Sequence, residues 1–120
     1  MLGCNLTRIK KNMSEHHIVY IIDDDSAIRK QCIKLLSENF FVSTFDSAEA
    51  VLTEVDEGNF ADIYVIDIIM PGMNGIQLLR ELRIRNLQNP AIIISAQPEK
   101  SDALEALNLG AFALLVKPLS

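Results

Sequence analysis

Apolar residues are distributed along this chain in two alternating ways. Unbroken apolar runs at 18–22, 63–66, 91–94 and 112–116 are rich in Ile, Val and Leu and stop at polar or turn-forming residues. For the first three runs that pattern predicts strands buried on both faces, and 112–116 is read as a fifth strand. A shorter run, 41–45, alternates Phe41, Ser43 and Phe45, which predicts a half-exposed strand at a sheet edge.

Between the runs the apolar residues recur at helical spacing. Ser26 is expected to cap a helix with Ile28, Cys32, Leu35, Leu36 and Phe40 on one face. Ser47 caps the next, whose buried stripe is Ala48, Val51, Leu52 and Val55 and whose end is Gly58. A third helix follows Gly75 with Ile76, Leu79 and Leu82 inward and Arg80, Arg83 and Arg85 more exposed. The fourth starts at Ser101 or Asp102, turns Ala103, Leu104 and Leu107 inward and ends at Gly110.

Strand then helix, four times over, with a lone strand last, implies a parallel sheet with right-handed crossovers and helices on both faces. Residues 17–120 form that one α/β domain. Residues 1–16 are polar and read as a disordered extension, with Met13 as an alternative start. At 120 residues there is room for one core.

Composition changes this picture little. An apolar fraction of 49% excludes a disordered chain, and no apolar run approaches the ~20 residues of a membrane span. A net charge of −5 argues against this domain itself gripping a nucleic-acid backbone. Cys4 and Cys32 read as unpaired thiols of a reducing cytoplasm. His16 and His17 are adjacent but lack a third ligand, so they are not taken as a metal site.

The chemistry sits at the strand ends. Asp23 and Asp24 follow the first strand, Asp67 the third, Ser95 the fourth and Lys117 the fifth. Parallel strands bring these ends to one edge, where open α/β sheets bind ligands. Each residue has a plainer reading as a cap, a turn residue or a solvated lysine, but four strands ending this way argues for a site. Clustered carboxylates repel one another, and a hard divalent cation such as Mg²⁺ removes that cost. Asp67 beside such a cation would attack a phosphoryl group, with Ser95 and Lys117 stabilising the transferring oxygens. No glycine-rich nucleotide loop is present.

Four motifs, IIDDD, DIYVIDIIMPGMNG, IIISA and LVKP, come in that order over nearly all of 18–118. In combination they resemble the receiver domains of two-component response regulators. The resemblance implies a flavodoxin-like sheet of order 2-1-3-4-5. It implies that Asp67 is the phosphoacceptor, served by a histidine kinase or phosphotransfer protein. Asp23, Asp24, Asp67 and the Ile69 backbone carbonyl would hold Mg²⁺, with Asp24 a more direct ligand than Asp23. Ser95 and Ala96 would bind and sense the phosphoryl group with Lys117, and the bond before Pro118 is expected to be cis. FDSAEAVL and EALNLGAFALLVKPL further resemble receivers that feed LuxR-type output domains.

Two departures from the family stand out. Leu114 occupies the position of a switch aromatic, three residues before the lysine, and cannot present a ring. No counterpart of the family's fifth helix follows Lys117–Pro118, so the chain is expected to be marginal in isolation, and either to pair its bare apolar face in a homodimer or to be a piece of a longer protein. The expected role is a cytoplasmic phosphoacceptor, not an enzyme, that assists its own phosphorylation and dephosphorylation. Ile69 and Gln97 flank the site, and apolar Ile69 predicts slow loss of the phosphoryl group. The rival readings are a receiver-like binding module that is never phosphorylated, and an aspartyl-phosphate phosphatase. The phosphatase needs a general acid two residues after the nucleophile, where this chain has Ile69.

Overall fold

The structure, a computed structural model, describes residues 17–118; the extension expected over 1–16 lies outside them. In chain order the elements are β1 (His17–Ile22), α1 (Ser26–Leu36), β2 (Phe40–Phe45), α2 (Ala48–Asp56), β3 (Ile63–Asp67), α3 (Gly75–Ile84), β4 (Ala91–Ser95), α4 (Lys100–Asn108) and β5 (Ala113–Val116). The strands pair in parallel in the order β2-β1-β3-β4-β5, the flavodoxin-like order implied by the resemblance. Here β2 lies at an edge, with Phe41 and Ser43 exposed, as its alternation predicts.

Two cores flank the sheet. The larger joins Tyr20, Tyr64, Ile66 and Ile93 to the inner faces of α2 and α3 and to Ala106 of α4. On the opposite face Val19 and Ile21 pack with Cys32 of α1, with Ile63 and Val65 partly buried beside them. Leu115 shares this second face through its pairing with Ile94, and it is 44% exposed. Burying the aliphatic residues of both cores is the main stabilising term, about 1.5–3 kcal/mol for each large side chain.

The inner face of α2 is the expected one, and Ser47 Oγ accepts the Ala50 N–H to cap it. Other expectations need correcting. Asp25, not Ser26, caps α1, because its carboxylate reaches the Ala27 N–H. Leu35 is 64% exposed, since the buried line of α1 runs Ile28, Cys32, Leu36 and leaves Leu35 off its axis. Residue Phe112 precedes β5 and is exposed. Arg83 is half-buried, its guanidinium donating to the carbonyls of Leu87, Asn89 and Leu109.

Helix α4 departs most. Glu99 and Asp102 form a capping box, so the helix begins at Lys100. That start turns Ala106 inward and leaves Leu104 and Leu107 exposed. Ala106 is the one buried residue of α4, while Leu109 and Ala111 beyond it pack against the core.

Candidate functional site

Asp23 immediately follows β1, where the strand pairing ends and the chain turns toward α1. Its own N–H donates to the Phe45 carbonyl at 3.1 Å. One carboxylate oxygen accepts the Asp25 N–H at 2.9 Å, and Arg29 donates to the Asp23 carbonyl at 2.7 Å. Asp23 is wholly buried, Asp24 exposed, and Asp67, at the end of the central strand β3, 4% exposed. One oxygen from each of the three carboxylates fits within a 4.8 Å cluster.

Lys117 reaches into this cluster from the end of β5. Its Nζ lies 2.9 Å from Asp23 Oδ2 and 3.3 Å from Asp67 Oδ1. The contact to Asp23 is an ion pair, and Oδ2 meets no other donor. Ser95 is buried at the end of β4, tied to β5 by the Lys117 N–H on its carbonyl at 2.9 Å. Its hydroxyl has no hydrogen-bond partner. The Lys117–Pro118 bond is cis, as expected.

Asp67 holds its charge at a cost. Burial pushes the Asp67 carboxyl up to about 6, Asp23 adds repulsion, and Lys117 pulls back the other way. Burial alone would lower the Lys117 ammonium, but Asp23 and Asp67 outweigh it and raise it above the usual range. Behind the acids, burial pushes the Cys32 thiol up, with Asp23 adding to it, so this sulfur stays protonated at neutral pH.

After Asp67 the chain makes a tight loop into α3. The Gly75 N–H donates to the Ile68 carbonyl at 2.8 Å, and a Cβ at Gly75 would lie 2.2 Å from the Asp67 carbonyl oxygen. Only glycine permits that approach. Ile69, Ala96 and Gln97 are exposed around the acids. Leu114 is half-buried against the larger core, and His17 sits at the other end of β1, 3.6 Å from Asp62. Two residues passed over in the sequence take part: Arg29, and Glu49 from α2, whose carboxylate accepts the Met73 N–H at 3.2 Å. Nothing in their spacing marks them, because the fold alone brings them to these loops.

Three converging carboxylates, with a buried Asp23 oxygen met by no donor but Lys117, are a hard-oxygen donor set, and they fit a divalent cation. Comparison with known proteins agrees with this geometry. Residues 19–120 match the family model described as the response regulator receiver domain. The chain belongs to the receiver domains of response regulators. It is a phosphoacceptor module of two-component signal transduction.

Among curated relatives, the receiver is 38% identical over 101 residues to the transcriptional regulatory protein FixJ of Bradyrhizobium diazoefficiens, covering 83% of this chain and 49% of that one. It is 36% identical over 102 residues to the DNA-binding transcriptional regulator NtrC of Escherichia coli K12, covering 84% of this chain and 22% of that one. The chain thus spans half or less of the length of these relatives. A CheY-like receiver domain from Methanospirillum hungatei superimposes with a TM-score of 0.81 at 26% identity, covering 88% of this receiver and 84% of that chain.

Proposed function

We propose that Asp67 accepts a phosphoryl group from the phosphohistidine of a histidine kinase or phosphotransfer protein. The observation that carries this is the juxtaposition of Asp67 with Asp23, Asp24 and Lys117, beside a buried Ser95 hydroxyl with no partner. An Asp67 carboxylate oxygen attacks phosphorus, the P–N bond breaks, and the imidazole leaves with its electron pair. An acyl phosphate remains. Lys117, already between the two buried acids, neutralises one phosphoryl oxygen, and the Ser95 hydroxyl donates to another.

Mg²⁺ is the cation we assign to Asp23, Asp24, Asp67 and the Ile69 carbonyl; when bound it offsets the carboxylate repulsion and the charge of the phosphoryl oxygens. Ser95 and Ala96 lead into the loop before α4, whose single buried residue is Ala106. This thin anchorage supports a switch carried by that loop and helix, with Leu114 taking no aromatic role.

The output we infer is transcriptional, of the LuxR kind, supported by the FDSAEAVL and EALNLGAFALLVKPL wording and by likeness to FixJ, a transcriptional regulatory protein. We infer a cytoplasmic setting from membership of the receiver family; among the described residues no helix is long and apolar enough to cross a membrane. A second copy of the chain is the partner we assign to the face carrying exposed Leu115.

Incubation with Mg²⁺ and a small phosphodonor, read by intact mass, is expected to give one phosphoryl adduct. No adduct would favour a silent binding module, and turnover of phosphomonoesters a phosphatase. Ile69 is 64% exposed and apolar beside the site, so it offers no hydrogen bond to an attacking water. Loss of the adduct is therefore expected to be slow, and Ile69→Asn, whose amide can hold a water by hydrogen bonds, to hasten it. Equal decay of the two proteins would count against that role.

A further inference from the structure

The segment between Asp67 and α3 carries the Ile69 carbonyl, and its conformation fixes where that oxygen points. It is closed at one end by the Gly75 N–H on the Ile68 carbonyl. At its crown the contact comes from another element. Glu49, in the first turn of α2, reaches across 24 positions of sequence to accept the Met73 N–H at 3.2 Å. Independently, Gly72 has φ +75°, and a Cβ there would lie 2.7 Å from Glu49 Oε2. The carboxylate therefore lies against the crown of the loop in a space that glycine leaves open. Glu49, Gly72 and Met73 together line an open groove of about 430 Å³ with Gln77, Arg80 and Glu81.

We propose that Glu49 is a positioning residue for the acceptor loop, bracing Gly72 and Met73 and thereby fixing the stretch of backbone that carries the Ile69 carbonyl. This rests on the assignment of Asp67, Asp23, Asp24 and Ile69 as the Mg²⁺ site. The groove decides what kind of effect to expect. When Glu49 is truncated, water from the groove takes the Met73 N–H, so no buried donor is stranded and stability changes little. What is lost is the fixed geometry of a backbone ligand. Groups that orient metal ligands directly are worth about 10–100-fold in affinity. Glu49 acts one step further away, so about three- to tenfold is expected.

Glu49→Ala and Glu49→Gln separate position from charge, because glutamine keeps an acceptor for Met73 but removes the negative charge. Three readouts are taken on the 120-residue chain: amide exchange at Met73 without metal, Mg²⁺ affinity from amide shifts, and melting temperature. Glu49→Ala is expected to lose Met73 protection and bind Mg²⁺ about three- to tenfold more weakly, with the melting temperature moved by less than about 2 °C. Glu49→Gln is expected to restore both protection and affinity. Unchanged Mg²⁺ affinity in Glu49→Ala would overturn the proposal. Equal weakening in both variants would also overturn it, since charge alone would then be acting. Failure of the unsubstituted chain to bind Mg²⁺ would instead overturn the assignment of the metal site, a result distinct from either of these.

Discussion

Lys117→Met is expected to slow phosphoryl acceptance by about two to three orders of magnitude. The ammonium lies 2.9 Å from Asp23 and 3.3 Å from Asp67, where charge builds on the oxygens of the transferring group. A preorganised donor in such a site is worth about 2.7–4 kcal/mol of barrier. Methionine keeps the aliphatic stem, so the packing loss is small and the missing charge dominates. The substitution also removes the group that counters the rise in the Asp67 carboxyl, which already stands at about 6. Adduct formation is therefore timed near pH 8 at saturating Mg²⁺, where ionisation of Asp67 does not limit the rate. A rate within about threefold of the unsubstituted domain would remove Lys117 from the chemistry and leave it a structural counter-charge.

Asp67→Asn is expected to stabilise the metal-free domain at neutral pH. The sign follows from the direction of the shift. Asp67 titrates near 3.8 when unperturbed and at about 6 in the folded protein, chiefly through burial and then through Asp23. Between those values the folded state binds more protons than the unfolded state, so stability falls as pH rises through that window. The full penalty is present above about pH 6 and absent below about pH 4. Each unit is worth about 1.4 kcal/mol, so the upper bound is about 3 kcal/mol, and on the order of 2 kcal/mol is expected after relaxation. Urea unfolding at pH 4 and pH 8 checks it: the asparagine variant should gain at pH 8 and show little difference at pH 4. Mg²⁺ should stabilise the native sequence much more than the variant. A variant less stable than the native sequence at pH 8 would mean that the ion pair with Lys117 outweighs burial.

How much of this was legible in the sequence depended on what made each residue matter. The buried strands were, because Ile, Val and Leu in short runs leave few other readings. So were Asp23, Asp67, Ser95 and Lys117, because parallel strands send every strand end to one edge. The inner face of α2 was legible too, since Ala48, Val51, Leu52 and Val55 form its only apolar stripe. In α4 two stripes compete: Ala103, Leu104 and Leu107 on one side, Ala106 with Leu109 beyond it on another. The capping box at Glu99 and Asp102 sides with the second, and the larger side chains are left outside. Leu35 is misplaced for a related reason, because hydrophobicity alone does not find the axis of a stripe. Glu49 could not be read at all: it sits on a helix, its partner Met73 lies in a loop 24 positions away, and only the packing of α2 beside α3 makes them neighbours.

The most direct test of the account is a paired intact-mass measurement on the native chain and Asp67→Asn, each incubated with Mg²⁺ and the same small phosphodonor. One phosphoryl adduct on the native chain, mapping to the peptide that contains β3 and absent from the variant, is the predicted result. An adduct of the same yield on Asp67→Asn would contradict it.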